Sequence, residues 1–103
     1  MGKPMKIRAR AAGELVEVKV LMAHPMESGR RKDAAGELIP AHYIRTVEAT
    51  CAERVVLTAQ WGTAVSANPF LGFKFKGGAK GDKVRITWVD SEGDSRSDET
   101  TVV

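Results

Sequence analysis

Apolar side chains recur at every second position along most of this chain, and that period of two constrains its fold more than any other feature. Leu71, Phe73 and Phe75 are apolar, while Lys74 and Lys76 between and beyond them are not. After the glycine-rich run from Gly77 to Gly81, Val84, Ile86 and Trp88 alternate with Arg85 and Thr87. Successive side chains of a strand point to opposite faces, so each run shows one face to a core and the other to water or a partner. All three phenylalanines and one of the two tryptophans lie between Ser66 and Asp90. This stretch reads as strand, turn, strand, a ribbon around which the remaining strands are expected to pack.

The same parity locates those strands. Ile7, Ala9 and Ala11 alternate with Lys6, Arg8 and Arg10, and Gly13 breaks the run. Val16, Val18, Val20 and Met22 share a face opposite Glu17 and Lys19, and β-branched residues favour a strand there. These two runs are close enough to form a hairpin or a corner that changes sheet. His24-Pro25 ends the second run, because proline lacks the ladder N–H. Residues 26–36 are polar, basic and glycine-containing. They read as a long exposed loop, a place where function often lies.

From Tyr43 to Ala52 the parity is mixed, with Arg45 breaking it, which predicts a strand with a bulge or a change of sheet. Glu53-Arg54 marks a turn. Val55, Leu57, Ala59 and Trp61 share a further strand face, ended by Gly62. Ser91 to Asp94 is a turn, and Ser95 to Val103 is a polar final strand suited to a sheet edge. About seven strands with turns between them and no helical period predict an all-β, immunoglobulin-like antiparallel β-sandwich. The 103 residues are read as one domain, 1–103.

The net charge of +3 is mild, and the basic residues are scattered along the chain. A nucleic-acid-binding stripe clusters its Lys and Arg, so no nucleic-acid partner is expected. No apolar segment approaches the roughly 20 residues of a membrane-spanning helix, and no membrane partner is expected. The single cysteine, Cys51, excludes an internal disulfide. It lies in a strand beside Ala and Thr and reads as a buried, inert thiol.

Catalytic chemistry finds little support. The two histidines, His24 and His42, read as hydrogen-bonded structural residues rather than bases with a nucleophile in reach. Two His and one Cys, far apart in sequence, do not make up a zinc set. Asp90, Glu92 and Asp94 lack the length and terminal glutamate of an EF-hand loop and read as a solvated turn. Gly72 and Gly77 have the four-residue gap of a phosphate loop, but Gly78-Ala79 and a strand follow. No catalytic residue, metal or cofactor is therefore expected. What remains is a surface. One candidate is the loop carrying His24, Met26, Glu27, Arg30, Arg31 and Lys32. The other is the corner Asn68-Pro69-Phe70. Phe70 is out of phase with Leu71, so it serves either as an anchor for a partner or as a cap on the open end of the sandwich.

Taken together, His24-Pro25-Met26-Glu27, Arg31-Lys32-Asp33, Ile39-Pro40-Ala41-His42, Ala59-Gln60-Trp61, Ser66 to Leu71, Trp88-Val89-Asp90 and Gly93 to Arg96 resemble the SoxZ family. These are the Z subunits of the SoxYZ sulfur-carrier complex of bacterial thiosulfate oxidation. The likeness covers nearly the whole chain. It implies a non-enzymatic, immunoglobulin-like subunit that forms a heterodimer with a Y subunit. In that family the Y subunit carries sulfur intermediates on a cysteine in its C-terminal Gly-Gly-Cys-Gly-Gly tail, and other sulfur-oxidation enzymes visit transiently. The resemblance further implies a periplasmic location, reached with a signal-bearing partner, and assigns no role to Cys51. Two rival expectations stand beside it: a stand-alone immunoglobulin-like binding module, and a small iron-dependent reductase on a similar sandwich, for which His ligands are too few.

Overall fold

The computed structural model describes residues 2–103. Seven strands run in chain order: β1 (Lys6–Ala12), β2 (Leu15–Leu21), β3 (Ile44–Cys51), β4 (Arg54–Gln60), β5 (Phe70–Lys76), β6 (Lys83–Asp90) and β7 (Ser95–Thr101). They form two antiparallel sheets, β1-β2-β5 and β4-β3-β6-β7. This is the predicted all-β sandwich, with the fourth strand carried at the edge of the larger sheet. The core is the set of inward parities: Val16, Val18 and Val20 from β2, Val47 and Ala49 from β3, and Val84, Ile86 and Trp88 from β6, all essentially buried.

Three details depart from the sequence reading or sharpen it. First, β5 and β6 do not pair with each other. The glycine-rich run carries the chain from one sheet to the other, so β5 pairs β2 while β6 lies between β3 and β7. Parity says which residues face the core, but either a hairpin or a crossing satisfies it. Second, the mixed parity of β3 has its cause in two register shifts, at Ile44/Thr46 and Ala49/Thr50. Third, the exposed loop is backbone-paired. Glu27 and His42 exchange both N–H···O bonds, and the Ile39 N–H donates to the Arg31 carbonyl. Residues 27–42 thus form a two-legged arm whose tip is held by Asp33, whose side chain accepts the Ala35 and Glu37 N–H groups.

The sheets differ in width, three strands against four. β1 lies against β7, which leaves β4 at the edge of the larger sheet farthest from that contact. Arg54 of β4 donates to the Lys76 carbonyl at the end of β5. The core-side residues of β4, Leu57 and Ala59, are only half-buried, and Val55 is 54% exposed.

Candidate functional site

Asp90, the last residue of β6, is 3% exposed, yet it is fully hydrogen-bonded. Its Oδ1 accepts the backbone N–H groups of Glu92 and Asp94 at 3.0 and 2.9 Å, which shapes the β6–β7 turn. Its Oδ2 faces His24 Nε2 at 3.0 Å and His42 Nε2 at 2.7 Å. The two imidazoles meet edge-on, 4.7 Å between centroids, and His24 also meets Trp88 edge-on at 5.1 Å. His24 precedes one leg of the arm and His42 ends the other. One carboxylate therefore clasps both legs to the end of the sandwich.

The backbone selects the tautomer of His24. The Met26 N–H donates to its Nδ1 at 3.1 Å. A neutral imidazole has one acceptor nitrogen and one N–H, so the proton lies on Nε2 and points at Asp90. Burial alone raises the Asp90 carboxyl. The hydrogen bonds from His24, His42 and the Glu92 N–H, with the charge of His42, outweigh it and hold Asp90 below the usual carboxylate value.

His24, His42 and Asp90 place possible ligand atoms within 4.8 Å of one another, the spacing of a metal set. The tautomer argues otherwise. A ligating nitrogen needs a free lone pair, and at His24 that pair is at Nδ1, already engaged by Met26. The donor set is that of a metal site, but its hydrogen bonds are those of a structural clasp. Sequence reasoning treated the two histidines separately and missed their convergence on Asp90, which lies 66 and 48 residues away. The available signal was that all three flank strand ends.

The structure divides the other candidate residues between inside and outside. Met26 is buried at a positive φ of 49°, with its Sδ accepting the Ile44 N–H. Its neighbour Glu27 grips Arg31 through two hydrogen bonds, which lower the Glu27 carboxyl and raise the Arg31 guanidinium. Arg30, Arg31 and Lys32 line the exposed arm. Asn68 bonds His24 in both directions, N–H to carbonyl and Oδ1 from N–H. Pro69 is buried, and Phe70 is 63% exposed on the outer face, paired with Leu21. A shallow cleft of about 400 Å³ opens beside the clasp, lined by Lys3, Pro25, His42, Asn68 and Asp94. Arm and corner thus meet at one end of the sandwich.

Cys51 is buried in β3, and burial with the neighbouring Asp82 carboxylate pushes its thiol up, away from the thiolate.

The family model of the sulphur oxidation protein SoxZ matches residues 5–101. The chain belongs to the SoxZ family. Membership places it in the sulfur-oxidation system. No curated protein matches the chain. Among solved structures, a superoxide reductase in its oxidized state is similar at 21% identity, with a TM-score of 0.66, covering 96% of this chain and 86% of that one. The reduced superoxide reductase (neelaredoxin) of Archaeoglobus fulgidus gives 21% identity and a TM-score of 0.64, over 95% and 85% of the two chains. A single-substitution variant of that reductase, also reduced, gives 20% and 0.63, over 97% and 86%. At such identity the likeness is one of fold. This chain and these reductases share a fold.

Proposed function

We propose that this chain is the non-catalytic subunit of a sulfur-carrier heterodimer, holding a Y subunit whose C-terminal cysteine carries the sulfur intermediates. The observation that carries the reading is the state of Cys51. The chain's one thiol is 2% exposed and pushed toward its protonated form. A buried thiol cannot visit the active sites of several enzymes, so the reactive sulfur must be supplied by another chain. The family membership supports the same conclusion.

The edge strand β4 offers the partner a place. Val55, Val56, Leu57 and Trp61 are incompletely covered there, as are Leu71 and Phe73 of the edge strand β5. Apolar and aromatic side chains at an unfinished sheet side suit a lasting interface. Arg30, Arg31 and Lys32 on the arm, with Asn68 and Phe70, flank the end where the Y tail would emerge. In this reading the periplasm is the working compartment, and the chain travels there with a signal-bearing Y subunit.

Size-exclusion chromatography with a cysteine-tailed Y subunit is expected to give a one-to-one complex. Mass spectrometry after thiosulfate treatment is expected to find added sulfur on Y alone. An adduct on Cys51, or no shift on mixing, would overturn the proposal. Deleting the Y signal peptide is expected to leave both chains in the cytoplasm on fractionation.

A further inference from the structure

Basic residues that are scattered in sequence are gathered by strand register onto one surface. The outer face of the three-stranded sheet carries Lys6, Arg8 and Arg10 from β1, Lys19 from β2, and Lys74 and Lys76 from β5, all exposed. One carboxylate, Glu17, stands among them, 3.6 Å from Lys19 and 3.8 Å from Lys74. The whole chain is +3. The face alone is more positive than the whole, so the rest of the molecule is net negative.

The rungs show how unevenly this charge is compensated. Arg10, Glu17 and Lys74 form one rung across the sheet, a carboxylate between two cations. The next rung is Arg8, Lys19 and Gly72. Like charges directly opposite each other cost stability, and here no acidic side chain shares the rung. Gly72 leaves room beside them. A notch of about 440 Å³ opens over it, walled by Phe70, Lys19, Lys74 and Glu17. On the other side of the rung runs a cleft of about 510 Å³, lined by Arg8, Arg10, Lys19, Thr100 and again Glu17. At the end of the face Leu21 and Phe70 pair with each other, 44% and 63% exposed.

We infer that this face docks the acidic surface of a protein that binds transiently, with a partner carboxylate received at the Arg8–Lys19 rung and an apolar side chain against Phe70. Three observations select this occupant. A central Glu17 would repel the phosphates of a nucleic acid, whereas a protein surface can oppose it with a cation. The apolar pair sits at one end rather than across the face, unlike a surface made to enter lipid. Exposed charge, only partly compensated by Glu17, speeds encounter more than it tightens binding, in contrast to the apolar β4 side proposed for the lasting partner. The inference rests on the reading of this chain as a subunit visited by other proteins. It concerns a different surface from the Y interface.

The test is fluorescence anisotropy with three labelled probes: a poly-glutamate peptide, a DNA duplex, and vesicles of phosphatidylcholine and phosphatidylglycerol. The chain is used alone and in complex with Y. The peptide is expected to bind most tightly and to weaken with added salt. The R8E/K19E variant is expected to lose about tenfold or more in affinity. K83E/R85E, on the opposite sheet, is expected to bind as the parent does, and unchanged melting would show that both variants are folded. Absence of peptide binding, equal loss in both variants, or tighter binding of DNA or vesicles would overturn the inference. None of these outcomes touches complex formation with Y, which chromatography reads separately.

Discussion

Two clusters of polar side chains set this molecule's character, and they are opposites. In the Asp90 clasp, Asp90 and His24 are buried, His42 is partly covered, and each carboxylate oxygen has two partners. The cationic face is exposed, and at its Arg8–Lys19 rung the charges are alike. Both are products of tertiary register. The difference is solvent. Inside, a polar group left without a partner costs its full desolvation, so each hydrogen bond of the clasp counts toward stability. Outside, water screens the repulsion, so the charges weigh little on stability and stay available for a second molecule.

The strongest way to break this contrast is to empty the clasp. Asp90→Ala leaves two imidazoles and two backbone N–H groups without an acceptor, and is expected to cost about 3–5 kcal/mol in chemical denaturation. Asp90→Asn keeps one acceptor and is expected to cost less. Amide exchange at Glu27 and His42 is expected to accelerate in both, because the arm loses its anchor. A cost for Asp90→Ala below about 1 kcal/mol would show the clasp to be ornamental.

Acid sharpens the same point. The folded value of Asp90 is held below its unfolded one. Its contribution is therefore complete above the unfolded value of about 3.9 and is lost as pH falls through the folded one. Asp98 adds to this acid sensitivity. Its hydrogen bonds from Arg96 outweigh burial, and with the Met5 N–H they hold its carboxyl low. Asp90→Asn is expected to flatten the acid limb of a stability-against-pH curve in part, leaving the share due to Asp98. A curve unchanged by the substitution would refute the role given to Asp90.

Smaller effects belong to the surfaces. On the outer side of the larger sheet, Thr87 Oγ1 and Ser97 Oγ share a hydrogen bond of 2.7 Å. Thr87→Ala is expected to cost about 0.5–1 kcal/mol, read as a lower melting temperature. On the cationic face, Arg8→Glu and Lys19→Glu are each expected to stay within about 0.5 kcal/mol of the parent, since each places a carboxylate opposite a cation. A large loss there would mean that the face serves folding and not a partner.

Clasp and face also differ from the strands in how far they could be read in advance. Period-two alternation located β1, β2, β4, β5 and β6 to within a residue or two, because a half-buried strand writes its face directly into sequence; β3 was read from a broken parity and β7 from the turn before it. It also marked Phe70 as one step out of phase with Leu71, and that side chain is exposed. It did not show that residues 27–42 pair as an arm, since their side chains are nearly all wet and leave no parity. Nor did it reveal the clasp. A lone His before Pro25, another before Tyr43 and an Asp in a turn each have an ordinary local explanation.

What this sequence determined by itself is the strand content, the inward parity and, through its resemblance to SoxZ, the family. These depend on neighbours along the chain, whose spacing is fixed by covalent geometry. Which strands pair, which sheet receives β5 and β6, and hence which charges gather on one face and which side chains converge on Asp90, only the tertiary structure decided. Register is set by contacts between residues far apart in the chain. Shifting a strand by two residues leaves its parity intact while changing every partner it meets.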